Sequence, residues 1–258
     1  MIRFASFDLD GTILDADGRL LAGVVEGIAR WRDLGVRSHI VTGRPAPAVL
    51  AIADVAALFD VCEVSVLVDD AEALLDTRSR RMRSTAHLAE EVVTRIRREC
   101  THYVASADGR LLASTRRAAR SHAIAYRLSQ AWVRVEPATG PINRITVYDE
   151  TCPDLTGATI DEIHAFSANV VKPAHSGKAI GVDRHLADPH GSDLTESIAV
   201  GDADGDAELL ARSAVGVAVA MSSAAATIAA SVHLDCPLAE FLATTDPLDL
   251  SLLARPMK

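Results

Sequence analysis

The strongest constraint on this chain is a repeated pairing of a short apolar run with a polar, glycine-bearing exit. Ile2 to Leu9 is apolar at alternate and then adjacent positions and ends at Gly11-Thr12. Val36 to Val41 ends in Thr42-Gly43-Arg44-Pro45, and Val64 to Val68 is a third run. Between the first two, Val24, Val25, Ile28, Trp31 and Leu34 recur at helical spacing, and Gly35 follows as a C-terminal cap. A further helix is expected from Ala48 to Leu58. Apolar strands alternating with amphipathic helices make a βαβαβ unit, which implies a parallel sheet with helices on its faces.

Between Arg80 and His175 the character changes. The sequence predicts a charged helix from His87 to Glu99, a hairpin at Ala107-Asp108-Gly109-Arg110, a helix near Arg120 to Val133 and a strand from Ile142 to Tyr148. After Gly177-Lys178 the earlier rhythm returns, with a helix over Ala179 to Leu186, a strand over Ser197 to Val200, a helix over Ala207 to Ala211 and a strand over Val215 to Ala220. The expected fold class is therefore α/β. A doubly wound, Rossmann-like parallel sheet is built from residues 1–79 and 176–258, and a smaller α+β domain, residues 80–175, is inserted into it.

Composition narrows the function classes. At 258 residues, with 49% hydrophobic and 24% charged residues, the chain reads as globular and long enough for a core with a second lobe. A net charge of −9 argues against nucleic acid as a partner. Cys62, Cys100, Cys152 and Cys236 form no C-x-x-C pair, so neither a zinc knuckle nor a disulfide framework is expected, and a reducing cytoplasm fits. Met1-Ile2-Arg3 leads directly into the first strand, with no room for a signal peptide. Val215 to Leu234 has the length of a membrane span, but its Ala, Ser, Gly and Thr make it weakly hydrophobic. It reads as a buried strand and a helix, with Ser222-Ser223 as a turn, and no membrane partner is expected.

Open α/β sheets bind ligands at the carboxyl ends of their strands, so the polar residues there were compared. Asp8 and Asp10 have the spacing that places two side chains on one side of an extended backbone, and Gly11 permits a sharp exit. Asp202 and Asp206, in Gly201-Asp202-Ala203-Asp204-Gly205-Asp206, add two more carboxylates from another strand end. Such an oxygen-rich group suits Mg2+. Thr42 and Lys178 can hydrogen-bond and neutralise a phosphoryl group.

In this order, Asp8-Leu9-Asp10-Gly11-Thr12, a strand-end Thr42, Lys178 and the Gly201-Asp202 segment ending at Asp206, the motifs resemble those of the haloacid dehalogenase-like phosphatase superfamily. The position of the insert, after Thr42, resembles the α+β cap of its Cof-like branch. The resemblance implies a Mg2+-dependent phosphomonoester hydrolase in which Asp8 attacks phosphorus and becomes an aspartyl-phosphate. Asp10 would protonate the leaving oxygen and later activate water. Asp8, the Asp10 carbonyl and Asp202 would hold the metal, with Asp206 supporting its waters or Lys178. Asp8, Gly11, Thr42, Gly43 and Lys178 would meet the phosphoryl group, and the cap would select a small phosphorylated metabolite. A sugar phosphate ranks first and a phosphoglycolate-like acid second. A phosphomutase and a catalytically weak ligand-binding protein are the alternatives, and the oligomeric state is not read.

Three positions depart from the branch pattern: Gly205 where Asn is usual, Ser222-Ser223-Ala224 in place of Gly-Asn-Ala, and Asp69-Asp70-Ala71-Glu72 in place of a segment with Asn-Gly. Lys172 competes with Lys178, but the helix after Gly177 favours the latter. Arg78, Arg80, Arg81 and Arg83 read as a solvated face, with contact to a second substrate anion as the alternative. The nine histidines have no metal-binding spacing and read as surface or packing residues. Trp31 reads as core, and Trp132 as packed within the insert.

Overall fold

A computed structural model describes residues 1–63, 65–163 and 166–250. Val64, at the start of the expected third strand, and residues 251–258 of the expected core lie outside them. The chain opens with β1 (Phe4–Phe7), α1 (Val24–Asp33), β2 (Arg37–Ile40), α2 (Ala46–Leu50), α3 (Val55–Val61) and β3 (Ser65–Val68). β4 (Ala73–Asp76) and β5 (Met82–Ser84) then fold back antiparallel on β3. This small sheet runs to residue 84, across the expected boundary at residue 80. The helix expected from Ala48 to Leu58 is two helices, because Asp54 takes a left-handed conformation, φ 59°, just ahead of α3.

The insert contains α4 (Glu90–Glu99), β6 (Tyr103–Ala107), β7 (Arg110–Ala113), α5 (Arg116–Ala125), β8 (Val133–Val135), β9 (Arg144–Val147), β10 (Ala158–Ile163) and β11 (Ala168–Pro173). Its six strands lie in the order β10-β11-β9-β6-β7-β8. The hairpin predicted at Asp108-Gly109 joins β6 to β7. The helix predicted near Arg120 to Val133 begins earlier, where the Thr115 hydroxyl caps it by accepting from the Ala118 amide, and ends at Ala125. Trp132 follows in a short turn and is half-exposed rather than packed within the insert. β10 and β11 have no counterpart in the sequence reading.

The chain then returns through α6 (Lys178–His190), β12 (Ser197–Gly201), α7 (Ala207–Arg212), β13 (Val215–Ala218), α8 (Ala224–Ala229), β14 (Val232–His233) and α9 (Leu238–Thr244). The main sheet is parallel throughout, in the order β14-β13-β12-β1-β2, and a parallel bridge from Val41 to Leu67 attaches β3 beyond β2. Among the described residues no helix is long and apolar enough to cross a membrane.

Both faces of this sheet are covered, which is why its strands are apolar without strict alternation. On one face Phe7 packs against Trp31, ring centroids 6.1 Å apart, and Trp31 against Phe241 of α9 at 5.9 Å. On the other, Phe4, Val41 and Ala199 pack against Val182 and Leu186 of α6 and Leu209 and Leu210 of α7. The period of two along β1 therefore carries Phe4, Ser6 and Asp8 toward the α6 side. Since β1, β2 and β12 run in the same direction, Asp8, Thr42 and Asp202 emerge along one edge of the sheet.

Trp31 is fully buried between β1 and α9. Trp31→Ala is expected to lower unfolding stability by about 3–5 kcal/mol in urea or guanidinium titrations. A loss below about 1 kcal/mol would mean that this junction does not hold the core together.

Candidate active site

Lys178, the first residue of α6, donates from Nζ to Asp8 Oδ1 at 2.7 Å and to Asp206 Oδ1 at 2.6 Å. The whole group is nearly closed off from solvent. The second oxygen of Asp206 accepts from the amides of Asp202 and Ala203, at 3.2 and 3.1 Å, which fixes the loop after β12. Thr12 Oγ1 donates to Asp202 Oδ1 at 2.8 Å. Gly11 is needed at its position: it has φ +75°, and a Cβ there would lie 2.3 Å from an Asp202 carboxylate oxygen.

The donor set fits a divalent cation. Oxygens of Asp8, Asp202 and Asp206 lie within 4.8 Å of one another. Both oxygens of Asp206 are engaged by the protein, so Asp8 and Asp202 retain the oxygens for direct coordination and Asp206 acts by orienting its neighbours. Once all three carboxylates are ionised they exceed the one ammonium by two negative charges, the charge that a divalent cation neutralises. Protonation states register the same imbalance. Burial pushes the Asp8 carboxyl up to about 8, with Asp206 and Asp202 adding to the push and Lys178 opposing it. Burial and Asp206 also raise Asp202, though Thr12 and Lys178 pull it down. Against burial, Asp8, Asp206 and Asp70 hold the Lys178 ammonium above its ordinary range.

Asp10 stands apart from these carboxylates. Its side chain is 55% exposed and receives a two-pronged contact from Arg44, Nε to Oδ2 at 2.7 Å and a terminal nitrogen to Oδ1 at 2.5 Å. Thr42 is buried, and its hydroxyl accepts from the Arg44 amide at 3.1 Å. The Gly43 carbonyl accepts from Arg144 at 2.6 Å, a contact between the core and β9 of the insert.

A cleft of about 1040 Å3 opens between the two lobes, with Arg144, Lys172 and Asp70 on one side and Lys178, Asp202 and Gly205 on the other. Lys172 pairs with Asp161 at 2.5 Å and approaches Asp70 at 3.9 Å, so Lys178 and not Lys172 reaches Asp8. Asp70 belongs to a turn in which Asp69, Asp70 and Ala71 all have positive φ, 53°, 60° and 68°. Such conformations are costly for residues with a side chain and persist where surrounding contacts dictate them. Here Ser106 of the insert donates to Asp69 at 2.7 Å, and Gly181 of α6 admits Ala71, whose carbonyl oxygen would lie 2.6 Å from a Cβ.

The positions that depart from the family pattern have distinct structural roles. A Cβ on Gly205 would meet nothing within 4 Å, so the missing side chain leaves open space beside the cleft. Ser223 caps α8, accepting from the Ala226 amide, and its own amide donates to the Asp202 carbonyl at 2.7 Å. It thereby supports the acidic loop. The exposed Arg80 lies over the Phe59 ring at 5.3 Å, and none of Arg78, Arg80, Arg81 and Arg83 lines the cleft. The cations that line the cleft beside Lys178 are instead Arg144 and Lys172, to which the sequence reading gave no such role. A charged residue inside the apolar run Ile142 to Tyr148 was the available signal for Arg144.

Comparison with known proteins agrees with this architecture. The haloacid dehalogenase-like hydrolase family model matches residues 5–100. The protein of Streptococcus pyogenes serotype M6 named "Putative phosphatase M6_Spy0533" is 25% identical over 237 residues, covering 81% of this chain and 84% of its own length. A haloacid dehalogenase-like hydrolase from Bacteroides thetaiotaomicron superposes with a TM-score of 0.78 at 18% identity, covering 94% of this chain and 99% of that one. BT4131, a sugar phosphatase of subclass IIB of the superfamily, gives 0.72 at 15% identity, with 93% and 98% covered. At these identities the two solved structures establish the fold, a doubly wound core carrying an inserted α+β lobe.

The raised Asp8 carboxyl ties cation binding to pH. Below about 8 a cation must displace its proton, so Mg2+ affinity measured calorimetrically is expected to strengthen as pH rises from about 6 toward 8 and to level off above it. An affinity independent of pH over that range would contradict the assignment of Asp8 to the cation site.

Proposed function

We propose that this chain belongs to the haloacid dehalogenase-like hydrolase superfamily and is a Mg2+-dependent phosphomonoester phosphatase working through Asp8. The observation that carries the proposal is the buried Lys178, which holds Asp8 and Asp206 beside Asp202 at the mouth of the interlobe cleft. When bound by Asp8, the Asp10 carbonyl and Asp202, Mg2+ supplies the positive charge that lets a phosphate dianion approach these carboxylates.

In the first half-reaction an Asp8 oxygen attacks phosphorus and the bond from phosphorus to the leaving oxygen breaks. Asp10 gives that oxygen a proton. In the second, Asp10 takes a proton from water, the water oxygen attacks phosphorus, and the bond to Asp8 breaks, releasing phosphate and restoring the carboxylate. Lys178, the Thr42 hydroxyl and the loop amides near Gly11 and Gly43 hold the transferring phosphoryl oxygens. Arg44 holds the Asp10 side chain through its two-pronged contact. A substrate anion competing for Arg44 releases Asp10 to act as the acid.

The substrate is a small phosphorylated metabolite, with sugar phosphates first and phosphoglycolate-like acids second. Residues 80–175 act as the cap that selects it. Arg144 and Lys172 offer positive charge from the cap, and Asp161 offers an acceptor for hydroxyl groups. The kinship with BT4131 in fold supports the sugar reading. Free cysteines are in keeping with a cytoplasmic enzyme.

Phosphate release from a panel of sugar phosphates and phosphorylated acids is expected with Mg2+ and to stop with EDTA. Asp8→Asn should lower turnover by about 10³-fold or more while leaving the protein folded. Isomerised product without phosphate release would assign a phosphomutase, and wild-type turnover in Asp8→Asn would remove Asp8 as nucleophile.

A further inference from the structure

Away from the acidic edge, three histidines from distant parts of the chain converge under α6. His39 lies on β2, and His185 and His190 lie on the second half of α6. A ring nitrogen from each comes within 4.8 Å of the other two. His39 is fully buried and neither of its ring nitrogens has a hydrogen-bond partner, and the buried Nδ1 of His185 also lacks one. Leaving a buried polar atom unpaired costs about 1–3 kcal/mol, so three in adjacent rings call for a partner.

Ring packing alone does not supply one. Phe4 lies beside His39 and His190, with centroids 5.7 and 5.2 Å apart, but these contacts involve the rings and leave the nitrogens unsatisfied. Separations among the imidazoles are 5.0 Å for His39 and His185, 5.8 Å for His185 and His190, and 6.0 Å for His39 and His190. Three imidazoles bound tetrahedrally to one zinc ion would have centroids about 5 Å apart, given Zn–N bonds of about 2.0–2.1 Å. The cluster is within about 1 Å of that arrangement.

We infer that His39, His185 and His190 form a second metal site, of the zinc class and separate from the carboxylates. Imidazole nitrogens suit Zn2+, whereas Mg2+ prefers oxygen ligands. The charges around the cluster define how it fills. Arg37 donates to Nδ1 of His190 at 3.0 Å and grips Glu63 through two bonds of 2.8 Å. Arg3 and Arg83 add further positive charge nearby. Arg37 thus occupies the place of a cation between His190 and a carboxylate. Its side chain is 44% exposed, so it can swing into solvent, freeing the His190 nitrogen and leaving Glu63 to offset the metal's charge. His185 lies seven residues along α6 from Lys178, about 10 Å at the helical rise, so the metal would brace against β2 the helix that presents Lys178.

The test uses the full chain in excess Mg2+, which fills the carboxylate site, followed by titration with Zn2+ and separately with Co2+. The expected result is about one Zn2+ retained per chain after dialysis, a higher melting temperature, and the visible absorption of tetrahedral Co2+. His185→Gln with His190→Gln should reduce Zn2+ affinity at least about tenfold and abolish the Co2+ bands, while Asp202→Asn should preserve both. His190→Gln alone, at the half-buried end of α6, repeats the test with little risk to folding. No retained Zn2+ at micromolar concentration, or unchanged binding in the histidine variants, would overturn the proposal.

Discussion

The ammonium of Lys178, buried between Asp8 and Asp206, is the interaction on which the rest of the site depends. It joins the end of β1, the start of α6 and the loop after β12, segments that meet only because parallel strands deliver their carboxyl ends to one edge. Ions withdrawn from water carry a desolvation penalty of several kcal/mol each, and one lysine cannot balance three carboxylates. The protein leaves the remaining two negative charges uncompensated where a cation and a phosphoryl group can meet. Burial, with Asp206 and Asp202 adding to it, raises Asp8, and the cleft beside it is lined by Arg144 and Lys172.

The insert is tied to this edge by polar contacts. Arg144 reaches the Gly43 carbonyl beside Thr42, Ser106 reaches Asp69, and Asn143 donates to the Glu72 carbonyl. The last two end on the Asp69 to Glu72 turn, whose left-handed residues stand where the family pattern has the more permissive Asn-Gly. Arg144 thus both ties the insert to the core and lines the cleft.

Much of the core was legible because its signals are local. Apolar runs, their glycine-bearing exits and the helical recurrence of Val24, Ile28 and Trp31 are all readable within a short window, and Asp8, Thr42, Lys178 and Asp202 sit at those exits. β10 was not legible because it is an edge strand, alternating Thr159, Asp161 and Glu162 with apolar residues and burying none of them fully. α5 lies earlier than the sequence predicts because its buried face, Ala118, Ala119, His122 and Ala123, is three alanines and a polar ring, which signal weakly beside Trp132 and Val133. The pairing of Arg44 with Asp10 and the meeting of His39 with His185 and His190 arise from tertiary contacts between distant segments, with no spacing to announce them.

The proposed chemistry passes the phosphoryl group through Asp8, beside the charge deficit around Lys178. The most direct measurement is rapid acid quenching of the enzyme during turnover of a radiolabelled phosphoester, followed by peptide mapping. Label is expected on the peptide containing Asp8, as an acyl phosphate cleaved by hydroxylamine. Label on any other residue, or phosphate release with no labelled enzyme at any time in the first turnover, would contradict it.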